Sequence, residues 1–104
     1  MTELPRSGAG AFESSFPNLW TSYQAFGKAC AEAGPLDPRT RRLVKVALSL
    51  GAASEGAVHS HVRQALDEGI TPEELRHIAL LAITTLGFPT AMAGMSWMND
   101  LFET

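Results

Sequence analysis

An all-α fold is what this sequence predicts, and three features predict it. Apolar residues recur at three- and four-residue steps through most of the chain. Two strong helix starts, Asp37-Pro38 and Thr71-Pro72-Glu73-Glu74, punctuate those runs. No stretch shows the apolar-polar alternation of a strand, and there is no internal repeat or low-complexity segment. The pattern gives about five helices in a single domain over 15–104. Residues 1–14, rich in Gly, Ser and Pro, are expected to be a flexible segment ahead of it.

The elements follow in order. Leu19, Trp20, Tyr23, Phe26 and Cys30 form the apolar stripe of a first amphipathic helix, which ends near Gly34-Pro35. Cys30 reads there as a small buried hydrophobe. Asp37 caps a second helix with Pro38 at its first position. Leu43, Val44, Val46, Ala47, Leu48 and Leu50 make that helix apolar over most of its surface, which predicts a central place. Gly51 ends it. Ser54 is the expected N-cap of the third helix, whose stripe is Val58, Val62, Ala65 and Leu66 and whose stop is Gly69. The capping box at Thr71 opens a fourth helix running to Gly87, expected to bury Leu75, Ile78, Leu81, Ala82 and Leu86. Pro89 opens a fifth, with Met92, Met95, Trp97, Met98, Leu101 and Phe102 around much of its circumference. Such a helix on a small protein is expected to meet a partner subunit. The small residues Thr90, Ala91, Ala93 and Gly94 predict close helix packing.

Composition excludes several classes of function. A chain of 104 residues holds one core, and its limited burial makes self-association reasonable. A net charge of -3 provides no field to gather nucleic acid or an anionic membrane. The single cysteine rules out an intramolecular disulfide. The N-terminus lacks a charged-then-apolar signal pattern, and the run Ile78 to Leu86 is too short to span a bilayer. A soluble cytoplasmic protein without a membrane partner is the expectation.

The candidate chemistry gathers on the third helix. At 100° per residue, Ser54, Ala57 and His61 lie along one flank of its apolar stripe. His59 lies on the other flank, with Glu55 one turn before it and Arg63 one turn after. The two histidines are separated by about 200°, so they cannot share a metal from one helix. A metal would need helices or subunits to converge; no metal-ligand set and no cofactor are expected. His61 is either a general acid or base or a hydrogen-bonded, half-buried histidine. Arg42, Arg63 and Arg76 are candidate cations for an acidic substrate, or solvated surface charges.

The stretch LDPRTRRLVKVALSLGAASEGAVHSHVRQALDEGITPEELRHIALLAITTLGFPTAMAG resembles the carboxymuconolactone decarboxylase and alkylhydroperoxidase-D-like family. The resemblance implies a small all-helical domain that assembles as a homotrimer or homohexamer. The redox branch of that family carries C-x-x-C-x-x-x-H at a helix start, and Ser54, Ala57 and His61 stand at the matching positions here. The glutamate of the family's proton relay falls at Arg42. Thiol-based peroxide reduction needs an accessible low-pKa sulfur, which Ser54 cannot supply. The decarboxylase branch also lacks the two cysteines, keeps a histidine at this place, and acts on a lactone with carboxylate groups.

Three functions are therefore carried forward. The favoured one is a non-redox, homo-oligomeric enzyme for a small organic acid or lactone. In it His61, His59 and Glu55 are the candidate catalytic residues, and Arg42, Arg63 and Ser54 the candidate substrate contacts. The others are an alkylhydroperoxidase-type antioxidant protein and a non-catalytic scaffold or ligand-binding protein. A fourth pattern competes with all of them. ALSLGAASEGAVHSHVRQAL resembles a helix-turn-helix motif, with Ser54, Val58, Ser60, His61 and Arg63 fitting its second half. Its turn is one residue too long, however, and Arg63 is the only fixed positive charge on the would-be recognition helix, against Glu55, Asp67 and Glu68. Nucleic acid is not an expected partner.

Overall fold

The computed structural model describes residues 8–102, and among them it contains six α-helices and no strand. They are α1 (Gly8–Ser15), α2 (Pro17–Glu32), α3 (Pro38–Gly51), α4 (Glu55–Asp67), α5 (Pro72–Leu86) and α6 (Phe88–Phe102). The last five are the helices read from the sequence. The first was not expected: α1 occupies part of the segment taken to be flexible, while residues 1–7 of that segment lie outside the described residues. Aromatic packing gives α1 its reason to form. The Phe12 ring lies 5.3 Å from Phe16 and meets Trp20 edge-on at 6.4 Å. Phe16, which precedes Pro17, leaves the helical region at φ -136 and ψ 67, and this separates α1 from α2.

The caps hold the remaining helices where the sequence placed them. Asp37 accepts from the Thr40 amide, with Pro38 at the first position of α3. Ser54 accepts from the Ala57 amide at the start of α4. Thr71 and Glu74 complete both halves of the capping box on α5. Two like turns bracket α4. After α3, Ala53 N–H bonds Leu50 C=O at 2.9 Å and Ser54 N–H bonds Ser49 C=O at 3.3 Å. After α4, Gly69 and Ile70 make the same pair of bonds to Leu66 and Ala65, at 3.1 and 3.0 Å. The left-handed residue is Gly69 in the second turn, with φ 91, but Ala53 in the first, with φ 52.

Helices α3 to α6 enclose the core: Val46, Leu50, Val58, Val62, Ala65, Leu75, Ala79 and Met98, with Ile70 from the α4–α5 turn. Helix α6 comes close to α3 at Gly94, where an added Cβ would lie 1.7 Å from Leu50 Cδ2. The Arg76 guanidinium lies over the Phe102 ring at 4.7 Å and ties α5 to α6.

Three burial expectations are corrected. Helix α2 contributes no buried residue: Leu19, Tyr23 and Phe26 are exposed, and so is Cys30. Its main packing partner is α1, so its apolar stripe does not reach the core. Leu81 and Leu86 on α5 are also exposed, as is Leu48 on α3. Together with Ala47, Gly51 and Ile78 they line an apolar groove of about 470 Å³. The apolar residues of α6, in contrast, are largely covered within the chain; Ala91, Gly94 and Met98 are buried. The uncovered apolar surface thus belongs mainly to α2 and to the α3–α5 face, with α6 contributing Phe88 at its start. No described helix is long and apolar enough to cross a membrane.

Candidate functional site

The site starts from spacing on two helices. On α4, His61, Gln64 and Glu68 are three and seven residues apart and share one face. On α3, Arg42 and Lys45 are three apart. Packing α3 against α4 brings these faces together. Arg42 Nε and one terminal nitrogen donate to the two Glu68 carboxylate oxygens, each at 3.0 Å. The same terminal nitrogen donates to Gln64 Oε1 at 3.0 Å, and the other reaches His61 Nδ1 at 3.0 Å. Four of the five guanidinium hydrogens are thereby engaged, which leaves one on the nitrogen beside His61.

The chemistry of arginine assigns the His61 tautomer. Guanidinium is only ever a donor, so Nδ1 must accept with its lone pair and the ring proton resides on Nε2. Among the described residues Nε2 has no partner. Half-burial of His61 comes first in pushing its pKa below the ordinary histidine value; the Arg42 and Lys45 charges act in the same direction. The ring is therefore neutral at pH 7 and offers an N–H. The Arg42 hydrogen bonds in turn hold Glu68 below the ordinary carboxylate range.

His61, Arg42 and Lys45 form one wall of an open cavity of about 630 Å³. Helix α2 supplies the opposite wall, with Tyr23, Phe26, Gly27 and Cys30 among its lining residues. A planar organic molecule would find aromatic and small apolar surface together with Lys28 on one side, and Arg42, Lys45 and a hydrogen-bond donor on the other. Lys45 and, on the α2 wall, Lys28 carry the charges that are free for a ligand. Both are exposed and have no ion-pair partner among the described residues, whereas Arg42 is already paired with Glu68.

The residues singled out in the sequence fall into separate places. His61 and Arg42 meet in the cavity. Ser54 stands at the start of α4, its hydroxyl engaged as the cap. Arg63 is exposed and does not line the cavity. His59 and Glu55 lie on the other flank of α4, where His59 Nε2 is 2.9 Å from Asp100 Oδ2 of α6. Sequence reasoning missed Lys45, Gln64 and Glu68, though their helical spacing from Arg42 and His61 was a usable signal. It also set Cys30 apart as a buried residue, yet this free, exposed thiol lines the same cavity as His61.

Residues 17–100, from the first residue of α2 almost to the end of α6, match the carboxymuconolactone decarboxylase family. The chain belongs to that family. Its all-helical architecture agrees, and its one cysteine agrees with the absence of the two-cysteine motif. The chain is 28% identical over 92 residues to a 4-carboxymuconolactone decarboxylase of Acinetobacter baylyi, a match covering 88% of this chain and 67% of that protein. It is 30% identical over 64 residues to an uncharacterized protein of Haemophilus influenzae, covering 62% of this chain and 57% of that one. The chain thus spans about two thirds of one relative's length and little more than half of the other's.

Proposed function

We propose that this member of the family is a non-redox enzyme that binds a small carboxylated lactone or related organic acid in the α2–α3–α4 cavity and removes a carboxyl group from it. The observation that carries the proposal is the Arg42–His61 contact, which presents a neutral Nε2–H at a cavity that also holds Lys45. Loss of CO2 leaves an electron pair that spreads onto the lactone carbonyl oxygen as an enolate, and a proton from water in the open cavity then completes the step at the ring carbon. A preorganised donor at that oxygen is stronger in the transition state than in the ground state, which is what accelerates the step. A neutral imidazole is a weak acid and suits that electrophilic role. Lys45 holds a substrate carboxylate, and Arg42 acts through His61 by fixing its tautomer. His59, Glu55, Arg63 and Ser54 have no part in this step.

The test is CO2 release from carboxylated lactones. Removing the donor with His61→Ala should lower kcat/KM about 100-fold or more. Lys45→Met should act mainly on KM. Turnover unchanged in His61→Ala would end the proposal. Tight binding of the acid without turnover, weakened by Lys45→Met, would assign the cavity to a ligand-binding protein instead.

Assembly into a homotrimer or homohexamer of this chain is part of the proposal. It is supported by two apolar surfaces that the chain leaves uncovered, the α2 stripe and the groove by Leu48, Leu81 and Leu86. A monomer in native mass spectrometry would overturn that part. A cytoplasmic location goes with it, on the chain's use of one cysteine.

A second function has one observation in its favour. Cys30 is exposed and lines the same cavity as His61, so a thiol shares a cavity with that histidine although it does not stand at the redox branch's cysteine positions. Peroxide consumption that Cys30→Ser abolishes would favour an antioxidant role over decarboxylation.

A further inference from the structure

The flank of α4 that faces away from the cavity holds a second cluster. Glu55 and His59, one helical turn apart, meet Asp100 from α6, and one ligand atom of each lies within 4.8 Å of the other two. We propose that Glu55, His59 and Asp100 form a binding site for a divalent transition-metal ion, zinc being the type, that staples α4 to α6. The site is separate from the cavity and does not depend on the function proposed for it.

The donor set and its charge point to that class of ion. Imidazole nitrogen and carboxylate oxygen are both zinc ligand types, and the nitrogen favours a transition metal over calcium or magnesium. With the imidazole neutral, as binding requires, two carboxylates balance a doubly charged cation. The distances fit as well. Two donors held at about 2.0–2.1 Å from one metal, at 90° to 109°, lie about 2.9–3.4 Å apart. His59 Nε2 and Asp100 Oδ2 are already 2.9 Å apart. Glu55 is exposed, so its carboxylate can move the last ångström without disturbing the core.

The His59–Asp100 hydrogen bond explains two of these residues but not the third. Glu55 is a second acid beside Asp100, and like charges so close repel. Among the described residues no lysine or arginine pairs with either of them. A bound cation removes that repulsion. The position of Glu55 in the first turn of α4 is favourable on its own account, which lets the site persist without metal.

The test uses the intact protein and Zn²⁺ alone, by titration calorimetry, with Co²⁺ absorption as the spectroscopic readout. Wild type should bind one ion per chain. His59→Gln and Glu55→Gln should each weaken binding by more than the about 10- to 100-fold that an outer-shell partner is worth. Glu55→Gln changes an exposed side chain, so a folding failure cannot account for its loss. His61→Gln, His77→Gln and Cys30→Ser should retain wild-type affinity, which separates this site from the cavity and from the remaining soft ligands. No binding by wild type, binding that survives both His59→Gln and Glu55→Gln, or binding abolished by His61→Gln, His77→Gln or Cys30→Ser would overturn the proposal.

Discussion

His59 and His61 stand two residues apart on α4, both partly buried in the same bundle, yet they face opposite company. Helix α3 brings His61 a guanidinium and a lysine. Helix α6 brings His59 a carboxylate, with a second acid one turn back on α4. A cationic neighbour makes an imidazole an acceptor at one nitrogen and a neutral donor at the other. An anionic neighbour makes it a partner for positive charge. What each ring can do is therefore decided less by α4 than by which helix packs on its flank.

The two flanks can be broken separately. The largest effect should come from Gly94→Ala. Its Cβ meets the side chain of Leu50, which is buried in the core and would have to shift. Overpacking of this kind costs about 1–3 kcal/mol, measurable by urea denaturation. It should push α6 off α3 and loosen His59–Asp100 while Arg42–His61, which involves only α3 and α4, stays intact. Arg42→Gln should do the reverse. It removes charge-assisted bonds to a partly exposed Glu68, worth about 1–2 kcal/mol after solvent screening. It should also let the His61 pKa rise, read by NMR titration.

A smaller effect follows from pH. His61 is held below its ordinary pKa in the folded state, so the unfolded chain takes up its proton first as pH falls. Stability should therefore decline as pH drops through the ordinary histidine value and level off below the folded one. His61→Gln should flatten that decline in denaturation midpoints measured across the range. The smallest effect serves as a control. Ala53→Gly relieves a left-handed alanine in the turn where the turn after α4 already uses Gly69. It should stabilise by about 0.5 kcal/mol and leave both histidines unchanged.

Much of this arrangement was legible in the residues themselves. Asp37, Ser54 and the Thr71–Glu74 box each announce a helix start because their side chains satisfy amides that the helix cannot. The meeting of Arg42 with His61 was half-legible, since both residues were singled out but Gln64 and Glu68 were passed over. Asp100 was not legible at all. Its approach to His59 depends on how α6 crosses α4, which no periodicity encodes. The stripe of Leu19, Tyr23 and Phe26 misled for a related reason. An amphipathic pattern says that a face needs cover, not that the same chain supplies it. Leu81 and Leu86 repeat the lesson on α5. The aromatic clasp that forms α1 was hidden by the glycines and serines around Phe12.

The most direct test of the central claim is the imidazole ¹⁵N spectrum of the wild-type protein, followed through a pH titration. The predicted result is His61 as the neutral Nε2–H tautomer at pH 7, protonating only below the ordinary histidine range, with Arg42→Gln moving that titration upward. A His61 ring carrying its proton on Nδ1, or already charged at pH 7, would contradict the arginine-held donor on which the proposed chemistry rests.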